Sequence, residues 1–154
     1  MQFKHNDGRY MNSKQALLST QVELDIPFHD CDPMQVVWHG NYARYFEVAR
    51  CKLLRLFDYD YDQMQQSGYM WPIVDMRTKY IAPLRFRQKV TVTAYLKEYQ
   101  HRLKLDYIIT DSESGQILTK GYTIQVAVAI ADQQMQYVSP EALLIQLKKV
   151  IAVE

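Results

Sequence analysis

The feature that most constrains this chain is a single, broadly apolar helical run. Tyr42, Tyr45, Phe46, Ala49, Leu53, Leu56 and Phe57 recur at three- and four-residue spacing, with Arg44, Glu47, Lys52 and Arg55 on other faces. Val48 and Leu54 widen the stripe, so this helix has to be wrapped on several sides. The material available to wrap it is mostly strand. Val22, Leu24, Ile26 and Phe28 alternate with Glu23, Asp25 and Pro27, and Pro27 puts the end of that strand at an edge or a bulge. Val90 to Leu96, Leu103 to Ile109 and Ile124 to Ile130 alternate in the same way, and Trp71 to Ile81, between Gly68 and Pro83, reads as another strand. The turn Asp111-Ser112-Glu113-Ser114-Gly115 joins the last two alternating runs into a hairpin. Ser139-Pro140-Glu141 starts a terminal helix whose face is Leu143, Leu144, Leu147, Val150 and Ile151. The predicted architecture is α+β: one antiparallel sheet wrapped around one long helix. Residues 1–19 read as an extension, with a short helical stretch around Ser13–Leu18, and residues 20–154 as a single domain.

Composition narrows the function classes. A chain of 154 residues, 48% hydrophobic and 23% charged, is long enough to bury a core. A net charge of +1 gives no field that would draw it to nucleic acid or anionic lipid. No apolar run has the length of a membrane span, and the first residues have no signal-peptide core, so a cytoplasmic protein is expected. Its two cysteines, Cys31 and Cys51, make no disulfide framework. The 12 tyrosines suit strands and interfaces alike and decide nothing.

Reactive side chains concentrate in one place. Phe28-His29-Asp30-Cys31-Asp32-Pro33-Met34-Gln35-Val36-Val37-Trp38-His39-Gly40-Asn41-Tyr42 holds two acids, two histidines and a thiol between the first strand and the helix. The apolar run Val36-Val37-Trp38 indicates a loop that dips into the domain. A carboxylate held there, such as Asp32, gains basicity by desolvation. The helix start at His39 to Tyr42, with Asn41 or Gly40 as its N-cap, presents unpaired N–H groups that can stabilise an oxyanion. A carboxylate and a helix N-terminus facing one carbonyl suffice to hydrolyse an activated acyl group. Against each candidate stands a plainer role: Asp before Pro forms turns, a lone His caps helices, and a free Cys fills cores. There is no G-x-S-x-G elbow, H-E-x-x-H pair, Walker A loop or G-x-G-x-x-G fingerprint. The His, Cys and Asp spacing matches no zinc pattern, so neither metal nor cofactor is expected.

Asp30-Cys31-Asp32-Pro33, then Val36-Val37-Trp38-His39-Gly40-Asn41-Tyr42, Phe46-Glu47-Val48-Ala49-Arg50 and Lys79-Tyr80-Ile81-Ala82-Pro83, resemble the hot-dog-fold thioesterases of the 4-hydroxybenzoyl-CoA thioesterase family. They also resemble the acyl-CoA thioesterases associated with the Tol-Pal system. The resemblance runs from about Thr20 to Ala131. It implies a hot-dog fold and hydrolysis of an acyl-CoA or acyl-carrier-protein thioester. Asp32 would be the catalytic carboxylate, acting as nucleophile or as general base. His39 would supply a backbone N–H to the thioester carbonyl, with assistance from its side chain. Tyr80, with Tyr45, Met70, Trp71 and Val74, is a candidate for the acyl pocket. By the same analogy His101 and Arg102 stand where relatives bind the phosphates of CoA. A homo-oligomer, a dimer of dimers, is implied too.

Two departures stand out. Many relatives have glycine where Gln35 stands, and only part of the phosphate-binding charge is kept at Gln100, His101 and Arg102. The alternatives are a hot-dog 3-hydroxyacyl-thioester dehydratase or hydratase, pairing His39 with an acid such as Glu47, and a non-catalytic acyl-thioester binding module.

Overall fold

A computed structural model describes residues 16–153. The extension at 1–15, and with it most of the helical stretch expected around Ser13–Leu18, lies outside the described residues. The elements run β1 (Leu18–Asp25), α1 (Tyr42–Arg55), α2 (Tyr61–Gln66), β2 (Tyr69–Met70), β3 (Ile73–Tyr80), β4 (Lys89–Glu98), β5 (Leu103–Asp111), β6 (Ile117–Gln125), β7 (Val128–Ala129) and α3 (Glu141–Leu147). Five strands form one sheet in the order β1-β4-β5-β6-β3, while β2 and β7 pair separately. Every pairing is antiparallel. The expected α+β architecture is therefore present, with β1 and β3 as the edge strands.

Strand alternation sets the core. Val90, Val92, Ala94 and Leu96 of β4, with Leu103, Leu105, Tyr107 and Ile109 of β5, are buried on one face of the sheet. Phe46, Ala49, Leu53 and Leu54 of α1 complete the same cluster, each large side chain contributing about 1.5–3 kcal/mol by leaving water. Helix and sheet meet closely at Gly121. A Cβ there would stand 2.5 Å from the Arg77 carbonyl oxygen and 2.7 Å from the Phe46 ring. With only hydrogen at that point, Phe46 stacks on Tyr107 with centroids 4.5 Å apart and planes 13° from parallel.

Several elements differ from the sequence reading. β1 begins at Leu18, and its first residues pair with the end of β4, Leu18 opposite Leu96. The run Ile124 to Ile130 is not one strand: β6 occupies Ile117–Gln125, and Val128–Ala129 leaves to pair with β2. Apolar alternation continued past the point where the chain changes sheets, which pattern alone does not register. α2 was not anticipated, although Asp60 and Gln63 make a capping box at its start. α3 stops at Leu147, before Val150 and Ile151.

Replacing Gly121 with Ala is expected to cost about 1–3 kcal/mol through overpacking. Urea denaturation of Gly121→Ala, read by tryptophan fluorescence, should show the midpoint falling without loss of cooperativity.

Candidate active site

The loop between β1 and α1 is a compact hairpin of its own. Cys31 and Val37 form an antiparallel bridge, and Val36 bridges to Arg85 just before β4. The Asp32 N–H donates to the Val36 carbonyl at 2.9 Å and the Gln35 N–H to the Asp32 carbonyl at 2.9 Å. Asp32 therefore opens a tight turn with Pro33 second, a position proline's fixed φ favours. Its Oδ1 accepts from the Met34 N–H at 2.8 Å. Among the described residues no group takes Oδ2, so half of the carboxylate is left for chemistry. Gln35 closes the turn at φ 64°, in the left-handed region that favours glycine. The loop thus keeps a glycine-type conformation with a glutamine in it, at a cost of roughly 1–2 kcal/mol.

Asp30 fastens this hairpin to the helix. Its side chain is buried, and its carboxylate accepts from the Tyr45 hydroxyl at 2.6 Å and from the Arg44 guanidinium. Its backbone carbonyl accepts from the Trp38 N–H at 3.0 Å and from Asn41 Nδ2 at 2.9 Å. Asn41 therefore stands at the expected helix start, but its side chain ties down the loop and does not cap α1. Burial pushes the Asp30 carboxyl up, but the hydrogen bonds from Tyr45 and Arg44 and the charges of Arg44 and His29 outweigh it. The net effect is a carboxyl held below its ordinary value. Cys31 goes the other way: burial first, then the charges of Asp30 and Asp32, raise its thiol. That thiol donates to the Pro27 carbonyl at 3.6 Å. It is a poor nucleophile.

His39 opens a 3-10 turn, His39–Asn41, that leads into α1. The Asn41 N–H donates back to the Trp38 carbonyl at 2.9 Å, which leaves the N–H groups of His39 and Gly40 at the start without a partner in the turn. The Tyr80 hydroxyl donates to the His39 carbonyl at 3.1 Å, and the Tyr80 ring meets Tyr42 edge-on at 4.7 Å. The Trp38 indole packs 5.1 Å from the His39 ring and lies over Gly40, where a Cβ would come within 2.3 Å of it. The atoms met are the outer edge of a Trp38 ring that is 51% exposed, so Gly40 lets that ring lie flat on the turn but is not demanded by the backbone.

Asp32, His39 and Tyr80 therefore gather at one end of the sheet, where β1 and β3 finish and β4 begins. His101 and Arg102 do not join them. They sit in the β4–β5 turn at the other end of β4, about 30 Å of strand away. Arg102 Nε is paired with Glu98 at 3.0 Å, and His101 Nδ1 is hydrogen-bonded with the Tyr137 carbonyl at 3.1 Å. Of the other expected pocket residues, Tyr45 and Trp71 are buried, Tyr45 on Asp30 and Trp71 donating to the Tyr59 hydroxyl at 3.2 Å. Met70 and Val74 are exposed. Among the described residues no helix is long and apolar enough to cross a membrane.

Residues 26–146 match a protein family described as the thioesterase-like superfamily. The chain is 29% identical over 80 residues to YneP of Bacillus subtilis, which carries a provisional acyl-CoA thioesterase name; the match covers 52% of this chain and 58% of YneP. The matches span 57% to 66% of the length of the curated relatives. Among solved structures, a DHNA-CoA thioesterase from Staphylococcus aureus is 27% identical with a TM-score of 0.71, covering 77% of this chain and 80% of its own. Slr0204, a 1,4-dihydroxy-2-naphthoyl-CoA thioesterase from Synechocystis, shares the fold at 19% identity and a TM-score of 0.75, over 86% and 97% of the two chains. The antiparallel sheet around one long helix is the hot-dog arrangement of these structures.

Because the Asp30 carboxyl is held below its unfolded value of about 3.9, it binds fewer protons folded than unfolded. Its contribution is present above that value and lost as pH falls through the folded one. Melting temperatures measured from pH 2 to 6 should drop below about pH 4, and Asp30→Asn should flatten that part of the curve while lowering the plateau.

Proposed function

Because the chain belongs to the thioesterase-like superfamily, we propose that it hydrolyses an acyl thioester to a free acid and a thiol. The observation that carries this reading is the unengaged Oδ2 of Asp32 on the same pinned loop as the N-terminus of α1. Asp32 would add to the thioester carbonyl and expel the thiolate, leaving a mixed anhydride for water to open, or would instead take a proton from the attacking water. Both routes build negative charge on the carbonyl oxygen. The N–H groups of His39 and Gly40 are the donors for it, that of Asn41 being taken by the Trp38 carbonyl. The His39 ring is available to assist, and the Tyr80 hydroxyl keeps the turn in register from β3.

The enzyme we propose is a homo-oligomer. β3 is an edge strand exposing Ile73, Val74 and Met76 together with Tyr80, and such an edge is completed by a second strand. A second copy paired antiparallel there, across a two-fold axis, would bring the partner's Ile73 end beside Tyr80 and enclose the acyl group between subunits. A further pairing of dimers fits the same reading. His101 and Arg102 of the same chain are too distant to touch a substrate at Asp32. They would contribute from another subunit. The free thiols Cys31 and Cys51 fit a reducing compartment, and we assign the enzyme to the cytoplasm.

Release of thiol from a panel of acyl-CoA and acyl-carrier thioesters tests the activity. Asp32→Asn should lose about 100-fold or more in kcat, whereas His39→Ala, which keeps its backbone N–H, should lose less. Equal turnover by wild type and Asp32→Asn, or formation of an enoyl product without thiol, would sink the assignment. Sedimentation tests the edge: Met76→Lys on β3 should shift the protein towards monomer and lower activity in step.

A further inference from the structure

Two arginines stand beside the catalytic loop with no carboxylate to answer them. Arg44, Arg50, Arg55 and Arg102 each lie within salt-bridge distance of an acid; among the described residues Arg77, Arg85 and Arg87 do not, and of these Arg85 and Arg87 sit in the turn before β4. Arg85 bridges to Val36, whose carbonyl accepts from Asp32. Its backbone is therefore two strand spacings, about 10 Å, from that of Asp32. Of the acids at this end of the sheet, Asp111 is occupied by Gln88 and by the N–H groups of Glu113 and Ser114, Asp30 by Arg44 and Tyr45, and Asp25 stands opposite Lys89.

Arg87 is held at a cost. The Gln88 N–H donates to the Arg85 carbonyl, closing a turn in which Arg87 has φ 69°. Glycine would adopt that conformation without strain. The strained side chain turns its guanidinium over the Phe86 ring at 4.9 Å. Phe86 in turn meets Phe28 edge-on at 5.6 Å, and Phe28 is 73% exposed. A phenylalanine so placed adds little to the core. Rings and guanidinium planes are surfaces on which a base stacks, and guanidinium forks fit phosphate oxygens.

We propose that Arg85, Arg87 and the Phe28–Phe86 pair hold the nucleotide end of a CoA thioester, the rings stacking its base and the arginines binding its phosphates. This rests on the thioesterase reading and specifies CoA as the carrier. It fits the sheet geometry, since the pantetheine arm separates thioester from phosphates, and the cations lie beside Asp32, not on it. It also places phosphate contacts on the same chain as Asp32, where His101 and Arg102 of that chain cannot reach, one nitrogen of each being engaged by Tyr137 and Glu98.

The test compares an acyl-CoA with the same acyl group on N-acetylcysteamine, which has the thioester but no nucleotide. Arg85→Gln and Arg87→Gly should each raise KM for the acyl-CoA roughly fivefold with kcat held. The truncated thioester should be unaffected, and the difference should shrink in 0.5 M salt, written here as roughly a threefold shorter screening length than in dilute buffer. Arg87→Gly should melt no lower than wild type, which separates lost binding from lost folding. Phe28→Ala should weaken CoA itself. Calorimetric titration of CoA into the wild type and the arginine variants reads the site without turnover, so a protein that binds CoA through these residues yet hydrolyses nothing would overturn the activity and keep the site. Unchanged CoA affinity, equal effects on the two thioesters, effects confined to an acyl carrier protein, or a change of oligomeric size that accounts for the kinetics would each overturn the site.

Discussion

The seat of α1 on the sheet at Gly121 is the contact on which the rest of the molecule depends. No side chain separates the strand from Phe46 there, so the helix comes down far enough for Phe46 to stack on Tyr107. That height fixes where the first turn of α1 emerges, and hence where its N–H groups point. Asp30 then ties the loop to the same turn through Tyr45, Arg44, Trp38 and Asn41. The carboxylate of Asp32 and the helix terminus are thus positioned by one buried anchor, not by two independent loops. Preorganisation of this kind spares an enzyme the reorganisation cost at the moment of reaction.

Much of this was legible in the sequence because it follows from short-range periodicity. The wrapped helix, the alternating strands, the Asp111–Gly115 turn and the density of reactive groups before α1 are all properties of contiguous residues. The family resemblance supplied expected roles for Asp32 and His39. What escaped depends on contacts between distant residues. The partnership of Asp30 with Arg44 and Tyr45 spans a loop and half a helix. β6 ends early because the chain moves to pair with β2. His101 and Arg102 sat at an analogous sequence position, but strand length carries them to the wrong end of the sheet for their own chain's Asp32.

The two ends of the sheet are different chemically. At the β4–β5 turn, charges and carbonyls are matched: Arg102 with Glu98, His101 with Tyr137, and Ser139 with Gln100 and Tyr99. That end holds the segment leading to α3 in place. At the Asp32 end, among the described residues, one Asp32 carboxylate oxygen is unengaged and Arg85 and Arg87 have no acid within salt-bridge distance, Arg87 resting on the Phe86 ring. Left-handed Gln35 and Arg87 both fall there. Asp58 and Gln133 are left-handed elsewhere in the molecule, so what sets this end apart is not strain alone but strain beside an unengaged carboxylate oxygen and two unpaired cations.

The pairing of β1 with β4 sets an order of assembly. β4 with β5, and β5 with β6, are neighbouring hairpins, and α1 is local by nature. β1 must instead find β4 across the whole of α1, α2 and β3, Leu18 against Leu96. The Asp32 loop is closed by the same distant partners, Leu84, Arg85 and Gln88. Loop closure over such a separation is entropically late, since many residues are ordered before any contact compensates. The framework is complete before the chemistry is. A nascent or partly opened chain therefore holds its helix and central hairpins while the loop that carries Asp32 is still unpinned, so the pocket end of the sheet is the last part of the molecule to take shape.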